Sequence, residues 1–112
     1  MPTHAELAGK LLGDAATFFK TLASQNRDIQ KEMNENAAVF DQMALLITRD
    51  PNGIINDKKH SDLAGQLLKD AATFFRTLAA QNEPLKEQME ANAGIYEQIG
   101  EMVSQDPLGI LD

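Results

Sequence analysis

The chain contains no cysteine, which excludes disulfides, thiolate nucleophiles and cysteine zinc sites. Long apolar stretches are also missing. The longest run, Met43 to Ile47, is far too short to span a bilayer. The opening segment, Met1-Pro2-Thr3-His4-Ala5-Glu6, has no basic stretch followed by an apolar one, which argues against a secretory signal. There is no phosphate-binding glycine loop and no Glu-x-x-His motif of the di-iron bundles. No serine–histidine–acid or cysteine–histidine constellation can be assembled. These absences point to a cytoplasmic protein that is not an enzyme and has no cofactor, metal or membrane anchor.

The 112 residues suit one domain, and a hydrophobic share of 43% is enough to build a core. The net charge is -7, unevenly shared. Residues 1–56 hold seven acids and five bases, whereas residues 57–112 hold ten acids and five bases. Such a surface repels nucleic acid and anionic membrane.

The strongest signal is an internal repeat. A shift of 56 residues superposes Asp14-Ala15-Ala16-Thr17-Phe18-Phe19 on Asp70-Ala71-Ala72-Thr73-Phe74-Phe75 without a change. Under the same shift His4 falls on His60, Leu7-Ala8-Gly9 on Leu63-Ala64-Gly65, and Gln25-Asn26 on Gln81-Asn82. Asp50-Pro51 and Gly53-Ile54 likewise meet Asp106-Pro107 and Gly109-Ile110. Roughly half the aligned positions are identical without a gap, which is the mark of duplication.

Each unit carries two helical patterns. In residues 4–24 the apolar positions Leu7, Ala8, Leu11, Leu12, Ala15, Phe18, Phe19 and Leu22 share one broad face. Thr3 and Glu6 have the spacing of a capping box. Ala5, Gly9, Ala16 and Ala23 form a strip of small residues beside that face. Gly9 and Gly65 cost helix stability, so their presence in both copies predicts a close backbone approach. Residues 27–49 carry a seam of Ile29, Met33, Asn36, Phe40, Met43 and Ile47, echoed by Leu85, Met89, Asn92, Tyr96, Ile99 and Val103. Its alternating four–three spacing suits a helix packed along its neighbours. Leu45 and its counterpart Glu101 point away from the seam.

Short links at Gln25-Asn26 and Gln81-Asn82-Glu83-Pro84 predict antiparallel hairpins. The expectation is therefore one all-α domain over residues 1–112, a four-helix antiparallel bundle. It consists of two tandem duplicated hairpins, about residues 3–56 and 59–112, with pseudo-twofold symmetry. The linker from Asp50 to Asp57 should turn at Asn52-Gly53. Ile54, Ile55, Ile110 and Leu111 are expected to cover the ends of the core.

Four polar residues invite a functional reading. Asn36 and Asn92 occupy seam positions that call for apolar side chains, and a buried amide is costly unless hydrogen-bonded. Asp14 and Asp70 lie at the edge of the apolar face, and a hairpin that turns near Asn26 puts Asp14 at a height similar to Asn36. Together they suggest a polar core layer, which serves either as a register-setting hydrogen-bonded layer or as a small-ligand or divalent-ion pocket with oxygen donors. His4-Ala5-Glu6 and His60-Ser61-Asp62 resemble paired ligands, but residues two apart on a helix do not share a face. The histidines read better as packed or end-capping groups. Asp50-Pro51-Asn52-Gly53 lacks the spacing of a calcium loop and reads as a turn. Lys58-Lys59 is too short for a nucleic-acid patch.

The first helices carry more apolar surface than one hairpin seam requires. Leu12, Phe19 and Ala23, with Leu68, Phe75 and Ala79, are the expected partner-binding surface. The leading functional expectation is a non-enzymatic protein–protein interaction module, a small acidic adaptor or a self-associating homo-oligomer. The alternative is a bundle binding a small ligand or divalent ion through the Asp/Asn layer.

Overall fold

A computed structural model describes residues 2–110. Four long helices follow the expected pattern: α1 (His4–Gln25), α2 (Gln30–Arg49), α3 (His60–Gln81) and α4 (Lys86–Gln105). α1 packs extensively on α2 and α3 on α4, and the two hairpins pack on each other as a four-helix bundle. Among the described residues, no helix is long and apolar enough to cross a membrane.

Local chemistry sets the helix ends. The Thr3 hydroxyl accepts from the Glu6 amide at 3.1 Å, and the Thr3 amide donates to the Glu6 carboxylate at 2.9 Å. This capping box satisfies two of the otherwise orphaned groups at the start of α1. The Thr3 amide, and then the Thr3 hydroxyl donating at 3.2 Å, hold the Glu6 carboxyl below the usual range. α3 has no side-chain cap; its first amide, on His60, donates instead to the Gly53 carbonyl at 2.9 Å. Both interhelix links tighten into single 3₁₀ turns, Arg27–Ile29 and Glu83–Leu85. The Asn82 side chain does not cap the turn that follows; it donates back to the Leu78 carbonyl at 3.3 Å.

The small-residue strip proves to be the inside of each hairpin. Ala5, Ala8, Gly9, Ala16 and Ala23 are buried, as are Ala64, Gly65, Ala72 and Ala79. A methyl group on Gly65 would stand 2.7 Å from the Gly100 carbonyl oxygen, and one on Gly100 would stand 3.0 Å from that of Gly65. The close approach expected at Gly9 and Gly65 is present in both hairpins, with Gly9 set against Thr48 and Ala44. Within each hairpin one ion pair joins the two helices, Lys20 with Asp41 at 2.8 Å and Arg76 with Glu97 at the equivalent positions. Lys69 and Glu101 form a further pair at 2.9 Å where the first repeat has Gly13 and Leu45. These pairs are solvent-exposed and screened, so they add little to stability.

The junctions between repeats are built alike. Asp50 to Gly53 forms the expected turn, closed by the Gly53 amide on the Asp50 carbonyl at 2.9 Å. A two-residue ribbon follows, β1 (Ile54–Ile55) antiparallel to β2 (Lys58–Lys59), turning through Asn56 and Asp57 at φ 51° and 65°. Asn and Asp tolerate this left-handed conformation, which a two-residue type I′ turn requires at both central positions. The His60 ring nitrogen Nδ1 then hydrogen-bonds the Asp50 carbonyl at 2.8 Å. At the other junction the same bonds form without chain continuity. The His4 amide donates to the Gly109 carbonyl at 2.8 Å, His4 Nδ1 meets the Asp106 carbonyl at 2.8 Å, and Thr3 bridges Ile110. α1 and α3 therefore start at the same end of the bundle, and the two hairpins close on each other within one chain.

This closure overturns two expectations. Leu12, Phe19, Ala23, Leu68, Phe75 and Ala79 are between 0% and 4% exposed, so they form no outward surface. Ala23 and Ala79 lie inside their own hairpins, Leu68 packs beside Gly100 of its own hairpin, and Phe19 and Phe75 meet rings of both their own hairpin and its twin. Ile54, Ile55 and Ile110 do not cover the core either; they are 66%, 38% and 56% exposed on the short ribbons. At this end of the bundle the histidines bond the Asp-Pro turns instead, and Leu111 lies outside the described residues.

Candidate functional site

The centre of the interface between hairpins is aromatic. Phe18 meets Phe75 at 5.4 Å and Phe19 meets Phe74 at 5.3 Å between ring centroids, in edge-on geometry. Each hairpin extends the cluster outward, Phe19 to Phe40 at 5.1 Å and Phe75 to Tyr96 at 5.0 Å. Edge-to-face rings at these distances are favourable beyond their burial. α1 also meets α4, and α2 meets α3, about as closely as α1 meets α3. α2 and α4 make no substantial contact with each other, and a gap is left on each flank.

Two equivalent clefts result, each of about 270 Å³. One lies between α1 and α4. Leu11, Asp14 and Phe18 form one wall, Asn92, Ile95 and Tyr96 the other. The second lies between α3 and α2, with Leu67, Asp70 and Phe74 facing Asn36, Val39 and Phe40. Every one of these residues maps onto its counterpart by the 56-residue shift. The rim residues Val39 and Ile95 are 51% and 50% exposed.

The expected polar residues are thus brought together in pairs, but not as one layer. Asp14 shares a cleft with Asn92, and Asp70 with Asn36, so each pair draws on both repeats. The single central layer of four is not formed. The Phe cluster occupies the centre and pushes the polar groups to the flanks. The aspartates are exposed and the asparagines half-buried, with Ala37 and Ala93 taking the buried seam positions beside them. Asn36 and Asn92 sit in different clefts and do not pair across the axis. Among the described residues, no group of three or more histidine, cysteine or acidic side chains converges as a metal site.

The two clefts differ in detail. In the first, the Tyr96 hydroxyl donates to the Leu11 carbonyl at 3.0 Å, fastening α4 to α1 across the repeats. Burial, and then the nearby Asp14 carboxylate, push the Tyr96 phenol up to about 12. Phe40 takes this place in the second cleft and makes no such bond. Asp70 accepts from the Gln66 amide at 2.9 Å. Lys10 replaces Gln66 in the first repeat, and among the described residues Asp14 has no hydrogen bond or ion pair.

The sequence reading did not single out Tyr96, Val39 or Ile95. The signal for Tyr96 was the Phe40/Tyr96 difference between otherwise matching seams, since a hydroxyl at a buried position must find an acceptor. His4 and His60 lie at the junctions, away from both clefts. The chain matches no protein-family model, no curated protein and no solved structure.

Proposed function

We propose that the protein is a non-enzymatic interaction module of the cytoplasm, and that its two flanking clefts are docking sites for a partner protein. The observation that carries this reading is the pairing, repeated on both flanks, of a half-exposed aliphatic rim with a carboxylate and an amide over an aromatic floor. Contact surfaces that bind selectively combine an apolar anchor pocket with a few directional polar groups. At about 270 Å³ each cleft lies at the small end of the range of binding pockets. One amino-acid side chain is the natural guest.

Placing a photo-crosslinking side chain at Val39 or Ile95 tests this in the native cell. The exposed positions Gln42 and Gln98 on the same helices are the controls. A defined protein adduct at the rim positions and not at the controls is expected. Equal yields at rim and control positions would refute docking at the clefts.

A further inference from the structure

We infer that each cleft receives the side chain of an arginine presented by the partner, so that one chain binds two arginines, one on each flank. The inference rests on the docking reading above and adds the chemistry of the guest. Its basis is complementarity of charge and shape within the lining. The chain is strongly acidic, at -7, and each cleft has one carboxylate and no basic residue among its lining. Asp14 and Asn92 stand on opposite walls, α1 and α4, and offer oxygen acceptors from two directions. Asp70 and Asn36 do the same between α3 and α2. A guanidinium carries five N–H donors in a planar fork, which lets it bridge two separate acceptors, and it stacks on aromatic faces. Phe18 and Tyr96 in the first cleft, and Phe74 and Phe40 in the second, supply those faces. The aliphatic stem of the guest matches the walls made by Leu11 and Ile95, or Leu67 and Val39.

Neither aspartate is fully engaged within the chain. Among the described residues Asp14 is held by no partner, and Lys10, one turn before it, makes no ion pair with it. Asp70 uses Oδ1 toward Gln66, leaving Oδ2 for a guest. A lysine would place a single point charge where two acceptors lie apart, and an uncharged side chain would leave the carboxylate unanswered. Arginine is favoured over both.

The test is a nuclear magnetic resonance titration of the full chain with three acetylated, amidated tripeptides, Leu-Arg-Leu, Leu-citrulline-Leu and Leu-Lys-Leu. Citrulline keeps the shape of arginine and removes the charge. The arginine peptide is expected to move the side-chain amide signals of both Asn36 and Asn92 in a saturable way. It should bind about tenfold more tightly than the citrulline peptide, the scale of one charge-assisted pair. Asp14→Asn should remove the response at Asn92 and spare that at Asn36. Asp70→Asn should do the reverse. Both aspartates are exposed, so the variants keep the fold, and each cleft is the internal control for the other. Equal binding of arginine and citrulline peptides in the clefts would overturn the inference while leaving docking intact. So would rim-specific protein crosslinks in a chain whose asparagine signals ignore the arginine peptide. Crosslinks that fail at Val39 and Ile95 while the arginine peptide binds would overturn protein docking and leave the arginine pockets standing.

Discussion

Replacing Gly65 by alanine isolates the contact that sets the hairpin geometry. Alanine in place of glycine inside a helix ordinarily stabilises by about 1 kcal/mol. At Gly65 the new methyl would stand 2.7 Å from the Gly100 carbonyl oxygen and 3.1 Å from the Ser104 Cβ. The first neighbour is backbone and cannot rotate away, so α3 and α4 must separate by several tenths of an ångström. Overpacking of this kind costs about 1–3 kcal/mol, which cancels or exceeds the propensity gain. Gly13 is the control, because nothing lies within 4 Å of a methyl placed there. Gly13→Ala should therefore keep the whole gain and melt several degrees above the wild type, at about 4–8 °C per kcal/mol for a domain near this size. Gly65→Ala should melt at or below the wild type, leaving the two variants apart by about 1–3 kcal/mol. Thermal and urea unfolding followed by circular dichroism measure the difference. If Gly65→Ala stabilised as much as Gly13→Ala, the close approach of α3 and α4 would be refuted.

The lone tyrosine gives a pH test. Its folded pKa of about 12 lies above the ordinary 10, so the native state holds the phenolic proton more tightly than the unfolded chain does. That contribution is complete below pH 10 and is lost as pH rises toward 12, by roughly 1–2 kcal/mol once solvent access from the cleft is allowed for. Unfolding measured from pH 9 to 12 should show this loss in the wild type and not in Tyr96→Phe, and tyrosinate absorbance should titrate late until the chain unfolds. Asp57→Gly should stabilise by about 0.5–1 kcal/mol in chemical denaturation, since glycine relieves a left-handed φ of 65°. Leu12→Ala and Leu68→Ala should each cost about 2–5 kcal/mol, as both side chains are 0% exposed; a surface role would leave the melting point near wild type. A circular permutant beginning at Asp57, with residue 112 joined to residue 1, keeps the 56-residue register unbroken. It should fold to the same bundle, with the spectrum of the parent.

The helices, the hairpins and the close glycines were legible because they depend on local spacing and on what both repeats share. The capping box at Thr3 and Glu6 follows from four residues alone. The clefts were not legible, because they depend on how one hairpin rotates against the other. Height along the hairpin places Asp14 level with Asn36, as the sequence suggests. Rotation then decides that Asp14 faces Asn92 of the other repeat. Leu12 and Phe19 were open to misreading for the same reason. An apolar band says that something covers it, and the chain itself supplies the cover. Ile54 and Ile110 illustrate the converse, since apolar side chains on a two-residue ribbon can remain in solvent.

Both clefts depend on the two repeats meeting through their phenylalanines inside one chain. Proton–proton contacts among aromatic rings, measured on a sample of verified monomeric mass, test that directly. Cross-peaks between Phe18 and Phe75 and between Phe19 and Phe74 are predicted, together with one linking the Tyr96 ring to Leu11. Cross-peaks confined to Phe19–Phe40 and Phe75–Tyr96, each within a single repeat, would contradict the account.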